Sequence, residues 1–402
     1  MVADLGIKTV LLAWELGGGL GHLVQLRPLA QGLAQRGYRV VAALRDRSQA
    51  ENIFGAGTAS VLRAPIKVLT PASYARLPMT FAHVLQDNGF GGDAEAGELA
   101  GAWRALYQKV RPDLIVFDHA PMALLGARGL AVRRVTIGSG FCVPPDQSPL
   151  PNLRSWKAAD PELLFQDEQN VLATANRVLG GWGLPALSRI TQLYSEVDET
   201  LLVTFQELDH YQERTGARYF GPLIEAGGAV PQWPGGGGAR IYAYLKMLPT
   251  LPAILEVLRR LGHPTIVLLD KGHEAVRRFE CGTLRIEHQH LDIARAGGEC
   301  DLAILNANHG TTAAVLMAGK PILQLPIYLE QALLARATAG RLGAGLDAGH
   351  RDPRQVQERL EAMLGTDRFG EAAARFAGRH SRLDPTRQRG EMLGCIEELL
   401  RG

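Results

Sequence analysis

Short apolar, β-branched runs alternate along the chain with longer stretches in which apolar residues recur every three or four positions. That alternation predicts parallel strands joined by crossover helices. Five runs predict strands in the first half: TVLLAW from Thr9, YRVVAAL from Tyr38, DLIVFD from Asp113, RRVTIG from Arg133 and TLLVTF from Thr200. Five more follow in the second half: ARIYAYL from Ala239, PTIVLLD from Pro264, LRIEH from Leu284, LAILNA from Leu302 and PILQLP from Pro321. Between the sets, from Gly221 to Arg240, Gly and Pro crowd together and the periodicity stops. The pattern therefore predicts an N-terminal Rossmann-like domain over residues 1–222, a linker over 223–240 and a second Rossmann-like domain over 241–380. In the closing stretch, 381–402, Met392, Leu393, Ile396, Leu399 and Leu400 fall on one helical face, which predicts an amphipathic helix. Open α/β sheets bind ligands beyond the carboxyl ends of their strands. Two such doubly wound sheets facing each other predict a cleft with one substrate on each side.

Composition narrows the function classes. A chain of 402 residues exceeds one compact core and suits two. A net charge of +2 leaves no basic stripe for a nucleic acid partner. No apolar run approaches the roughly eighteen residues needed to span a bilayer, and Asp4 stands where a leader would carry basic residues, so a cytoplasmic location is expected. Cys142, Cys281, Cys300 and Cys395 form no C-x-x-C pair, which favours isolated buried thiols over zinc or disulfides. No Asp-x-Asp occurs, so the usual carboxylate pair for a divalent cation is missing and no metal or other cofactor is expected.

Two loops carry candidate chemistry. ELGGGLGHLVQLRP, Glu15 to Pro28, follows the first strand. It lacks the third glycine of a dinucleotide fingerprint, and Asp46 lies too far on for the ribose-binding acid. The alternative is a tight turn that leaves His22 at a helix start, where an imidazole can take a proton from a hydroxyl. Asp118 ends the strand DLIVFD and can hold the other ring nitrogen of His22, or else cap the helix that follows. His119 stands directly beside it. In the second loop a strand runs into Asn306, Asn308, His309, Gly310, Thr311 and Thr312 and then into an apolar helix. Amides and hydroxyls at a helix N-terminus suit a diphosphate, or Thr311 or Thr312 caps the helix with no ligand. No P-loop sequence is present.

Taken with RPDLIVFD around Asp118 and TFQELDHYQERTGARYFGPL before the linker, these loops make nearly the whole chain resemble the family 1 UDP-glycosyltransferases. The stretch Asn306 to Leu346 carries most of the likeness: it follows that family's donor signature, H-x-G-x-x-S/T-x-x-E, then G-x-P, then D/E-Q. The resemblance implies a GT-B fold, with His22 as general base and Asp118 as its partner. It places Thr311 and Thr312 on the Ser/Thr pair beside the diphosphate, His309 and Gly310 where backbone amides touch phosphate, and Glu330 and Gln331 on the donor-sugar hydroxyls. The chain also departs from the family. Asn306 replaces the phosphate-binding histidine, and Ala314 the ribose-binding glutamate. In the segment that stacks on the base, Glu287 replaces the tryptophan and His290 the glutamine. Lys246, near the family's Gly-Ser turn, either restores a positive charge for the diphosphate or is a solvated loop lysine.

The resulting expectation is an inverting, metal-independent transfer of a sugar from a nucleotide-diphospho-sugar, UDP- or dTDP-linked, to an apolar or lipid-like hydroxyl acceptor. Aromatic and methionine residues between Lys67 and Val110, and the Pro-rich Ser139 to Trp156, are candidate acceptor walls or simply core. Two alternatives remain: a non-catalytic GT-B protein that binds a nucleotide-sugar, and a nucleotide-sugar epimerase using His119, His290 and nearby acids.

Overall fold

Each half of the alternating pattern builds its own six-stranded parallel sheet in the computed structural model, which describes residues 6–68, 77–211, 214–224, 227–349 and 352–402. Asp4, and residues 69–76 of the aromatic stretch, lie outside the described residues.

The first sheet contains β1 (Thr9–Trp14), β2 (Arg39–Leu44), β3 (Ser60–Arg63), β4 (Leu114–Asp118), β5 (Arg133–Gly138) and β6 (Glu199–Leu202), in the order β3-β2-β1-β4-β5-β6. The second contains β7 (Ile241–Leu245), β8 (Thr265–Leu269), β9 (Leu284–Glu287), β10 (Leu302–Leu305), β11 (Ile322–Gln324) and β12 (Gly345–Asp347), in the order β12-β11-β10-β7-β8-β9. Strand order reverses between β1 and β4 and again between β7 and β10. These are the switch points at which a doubly wound sheet opens a crevice.

Central strands such as β1 and β4 are buried along their whole length, which is why they read as unbroken apolar runs. The two strands absent from the sequence reading, β3 and β12, are short edges. β3 buries no residue fully: Ser60 and Arg63 are exposed, Val61 and Leu62 half-buried. β12 opens on Gly345, where a Cβ would collide with the Ile322 carbonyl.

The chain separates into two compact units: Met1–Thr204 with Glu213–Gly221 and Pro385–Gly402, and Phe205–Gln212 with Pro222–Asp384. The Gly- and Pro-rich stretch read as a linker packs along the second unit. Ala229 pairs with Leu291, the Trp233 indole donates to Glu299 at 2.8 Å, and Arg240 N donates to Asp301 at 2.8 Å. Its glycines serve close approach there: at Gly228, φ 123°, a Cβ would strike the backbone of Leu291 and Asp292.

The amphipathic C-terminal helix, Pro385–Arg401, buries Met392, Leu393, Ile396 and Leu400 in the first unit. All four cysteines are free. Cys142 and Cys300 are buried, and burial pushes the Cys300 thiol up to about 12, whereas Cys281 is exposed. Among the described residues no helix is long and apolar enough to cross a membrane, and no three His, Cys, Asp or Glu side chains converge as metal ligands.

Candidate active site

At the first switch point Trp14 and Asp118 are register partners, so β1 and β4 end side by side. Beyond Trp14 the glycine run turns the chain into the helix Gly21–Gln35, whose second residue is His22. His22 Nδ1 lies 2.9 Å from Asp118 Oδ2; the aspartate is fully buried and the imidazole 17% exposed. The ring also stacks on Trp14, with centroids 5.0 Å apart and planes 23° from parallel. With Nδ1–H donating to the carboxylate, Nε2 is the nitrogen that accepts a proton.

The glycine run has a specific steric purpose at one position. Gly17 adopts φ 84°, and a Cβ there would collide with His22 Nε2, whereas nothing crowds Gly18 or Gly21. Gly17→Ala is therefore expected to displace the imidazole edge. Any transferase rate should fall by at least about tenfold, a cost of ~1.4 kcal/mol in the barrier, while the melting temperature stays within a few degrees. Equal rates for wild type and variant would show that Nε2 is not the reacting nitrogen.

Asp118 does not cap the helix that follows it. The N-cap position of Pro121–Ala127 is Ala120, which has no capping side chain. The cap comes instead from Glu15, whose Oε2 accepts from Met122 N at 3.0 Å and Ala123 N at 3.2 Å. Burial raises the Glu15 carboxyl to about 8, against the opposing pull of these amides and of Arg45. The sequence carries a trace of this in one acidic residue wedged between an apolar strand and a glycine turn.

His119 sits at φ 45° and is also buried. Burial, with His22 and Arg45 nearby, drives its imidazole down to about 3, so it stays neutral. Phe81 and Phe141 surround it, with ring centroids at 6.3 and 6.1 Å. Phe81, Leu85 and Phe90 of the aromatic stretch are buried as core, as are Phe141, Leu150 and Leu153 of the Pro-rich segment. Leu20, Leu77 and Trp156 expose apolar surface.

At the second switch point the chain leaves β10 through Asn306 and Ala307, the latter at φ 57°, and enters the helix His309–Met317. Asn306 is buried and ties three strand ends together. Its Oδ1 accepts from Lys246 N at 2.7 Å beyond β7, and its Nδ2 donates to Leu325 O at 2.8 Å beyond β11. A buried amide must satisfy its polar groups, and here the frame does so. Thr312 is likewise fully buried, its hydroxyl accepting from Gln324 Nε2 at 3.3 Å. Gln331 Oε1 accepts from Ile327 N at 2.8 Å and Tyr328 N at 3.4 Å, capping the helix Leu329–Arg336. These three expected donor contacts therefore have bonds of their own within the fold.

Other groups lie around this point. Gly310 is exposed and His309 half-buried at the helix start, while Thr311 is buried. Burial pushes the His309 imidazole down to about 4, against the pull of Asp209. Lys246 Nζ lies 5.5 Å from the centre of the Tyr328 ring, which is 60% exposed. Glu330 is half-buried in the first turn of its helix. Farther along the sheet, Glu287 is held by Arg285 at 2.5 Å, and exposed His290 stands edge-on to Tyr244 with centroids 6.5 Å apart. Tyr244 donates to Asp270 at 2.7 Å, a pair not expected from sequence.

No protein-family model matches the chain, and no curated protein matches it. Solved structures do match. The calicheamicin glycosyltransferase CalG4 superposes with a TM-score of 0.72 at 16% identity, covering 98% of this chain and 99% of that one. The chain has the GT-B fold. Glycosyltransferase VinC, solved in complex with dTDP, gives a TM-score of 0.67 at 17% identity over 98% of this chain and 100% of that one. The spinosyn rhamnosyltransferase SpnG, solved with spinosyn aglycone, gives 0.63 at 17% identity over 96% and 100%. The two switch points thus belong to the two Rossmann-like halves of a GT-B chain.

Proposed function

We propose that the protein is a glycosyltransferase that moves a sugar, with inversion, from a nucleotide-diphospho-sugar to an acceptor hydroxyl. The observation that carries this reading is the His22–Asp118 pair at the switch point of the first sheet. His22 Nε2 removes the acceptor proton, Asp118 stabilises the imidazolium, and the acceptor oxygen attacks the anomeric carbon as the bond to the diphosphate breaks. Charge building on the leaving diphosphate is met by the first amides of His309–Met317, by Thr311 and by Lys246, without a metal ion. A neutral His309 adds no charge, so Lys246 is the cation of this set. Half-buried Glu330 serves the donor sugar, and His290 beside Tyr244 serves the base.

Calorimetry with UDP, dTDP, GDP and NAD in the presence of EDTA tests the donor half, and the dTDP in the VinC structure makes dTDP the first choice. One nucleoside diphosphate is expected to bind, indifferent to EDTA. Lys246→Ala should weaken it about tenfold, the loss of a charge-assisted contact worth about 1.5 kcal/mol. Binding of NAD alone would overturn the reading. Binding without turnover on any hydroxyl acceptor would leave a non-catalytic nucleotide-sugar protein, and conversion of the nucleotide-sugar with no acceptor present would indicate an epimerase.

A further inference from the structure

Around His22 and Asp118 the fold divides two tasks that one aspartate often combines. Asp118 ends β4 immediately before the helix Pro121–Ala127, the ordinary place for a cap, yet its Oδ2 is held by the imidazole. Its Oδ1 is buried with no hydrogen-bond partner among the described residues. The helix is capped by Glu15, the residue after β1 and more than a hundred residues away in sequence. A further bond from Leu16 N to His119 O, 2.9 Å, runs alongside. Together these bonds bracket the turn at His119 and join the segment that leads to His22 to the one that follows Asp118.

We infer that Glu15 is a positioning residue: by capping Pro121–Ala127 from the end of β1, it fixes the His22 loop against Asp118 and sets the geometry of the pair. The role of that pair as a base rests on the transferase reading, but the positioning itself does not. Trp14, the residue before Glu15, is the surface on which the imidazole stacks. Arg45 secures the same point from β2: its N donates to Trp14 O at 3.0 Å and its Nη1 to Glu15 O at 3.1 Å. Tyr107 closes the far side by donating to Ala123 O at 2.7 Å. The charged and titratable groups that interact with Glu15 are Arg45, which pulls its carboxyl down, and Tyr107, whose hydroxyl it pushes up. A carboxyl that burial keeps protonated up to about 8 caps this helix without setting a second negative charge beside Asp118.

The test is the titration of His22, followed by NMR of its ring nitrogens in the full chain without substrates, in wild type, Glu15→Leu, Glu15→Asp, Glu15→Gln and Asp118→Asn. Losing the carboxylate partner lowers an imidazole midpoint. Glu15→Leu is expected to move the His22 midpoint at least halfway toward that of Asp118→Asn. Glu15→Asp, too short by one methylene, should move it in the same direction, and Glu15→Gln, which keeps an acceptor oxygen, should restore the wild-type midpoint. In turnover, Glu15→Leu should lose about tenfold or more in kcat with the donor KM unchanged. A lower melting temperature with an unmoved His22 midpoint in both Leu and Asp variants would overturn the inference and make Glu15 a purely structural cap. Should Glu15→Leu not fold, the Asp variant decides. Absence of turnover in wild type would count against the transferase reading alone, since the titration needs none.

Discussion

Replacing His22 by alanine is expected to lower the transfer rate by about 10²–10⁴-fold, the usual contribution of a positioned general base, while nucleotide affinity stays at its wild-type value. The separation follows from where the groups lie: His22 belongs to the first unit, and the residues proposed for the diphosphate belong to the second. Asp118→Asn should cost a similar factor. An amide at that position presents a donor as readily as an acceptor, which removes the preference for protonating Nδ1 and with it the basic Nε2. Steady-state kcat and donor KM, with calorimetry of the nucleoside diphosphate, check both variants. A His22→Ala protein with undiminished kcat would remove the imidazole from the mechanism. A loss of nucleotide binding in the same variant would mean the two loops had been assigned to the wrong substrates.

The second large effect is on stability against pH. Glu15 titrates near 8 in the fold against 4.5 when exposed, because burial penalises the carboxylate. The folded state therefore holds a proton that the unfolded chain has released. This term is fully present below pH 4.5 and is lost as pH rises toward 8. At about 1.4 kcal/mol per pKa unit, the whole interval corresponds to about 5 kcal/mol as an order of magnitude. Glu15→Gln carries no such proton. Urea denaturation at pH 5 should give similar stabilities for wild type and variant; at pH 9 the wild type should be the weaker by several kcal/mol. Parallel curves across that range would show that the carboxyl is solvated rather than buried.

Much of the fold was legible because strands buried on both faces must be apolar throughout: TVLLAW, DLIVFD, PTIVLLD and LAILNA announce themselves. The edges did not. SVLR and GLD are strands only because a neighbour offers them hydrogen bonds, and nothing local marks them. The His22–Asp118 pairing was readable from two strand ends, since the carboxyl edge of a parallel sheet gathers such residues whatever their sequence separation. The commitments of Asn306, Thr312 and Gln331 were not readable. Whether a polar side chain meets a ligand or a neighbouring carbonyl depends on which backbone groups face it, and those lie on other strands and turns. Glu15 shows the same limit from the other side: Asp118 had the local signature of a cap, and the residue that caps is the one just after β1.

The helix that carries His22 has support from far along the chain. Gly32 lies so close to Leu393 of the C-terminal helix that a Cβ there would collide with it. Arg36 reaches Glu397 at 3.3 Å, and the Gln388 amide donates to Phe220 O at 2.9 Å. During synthesis, then, all six strands of the second sheet emerge before the segment that covers the first unit's core exists. The first unit is thus completed by a helix that follows the whole of the second sheet in the chain.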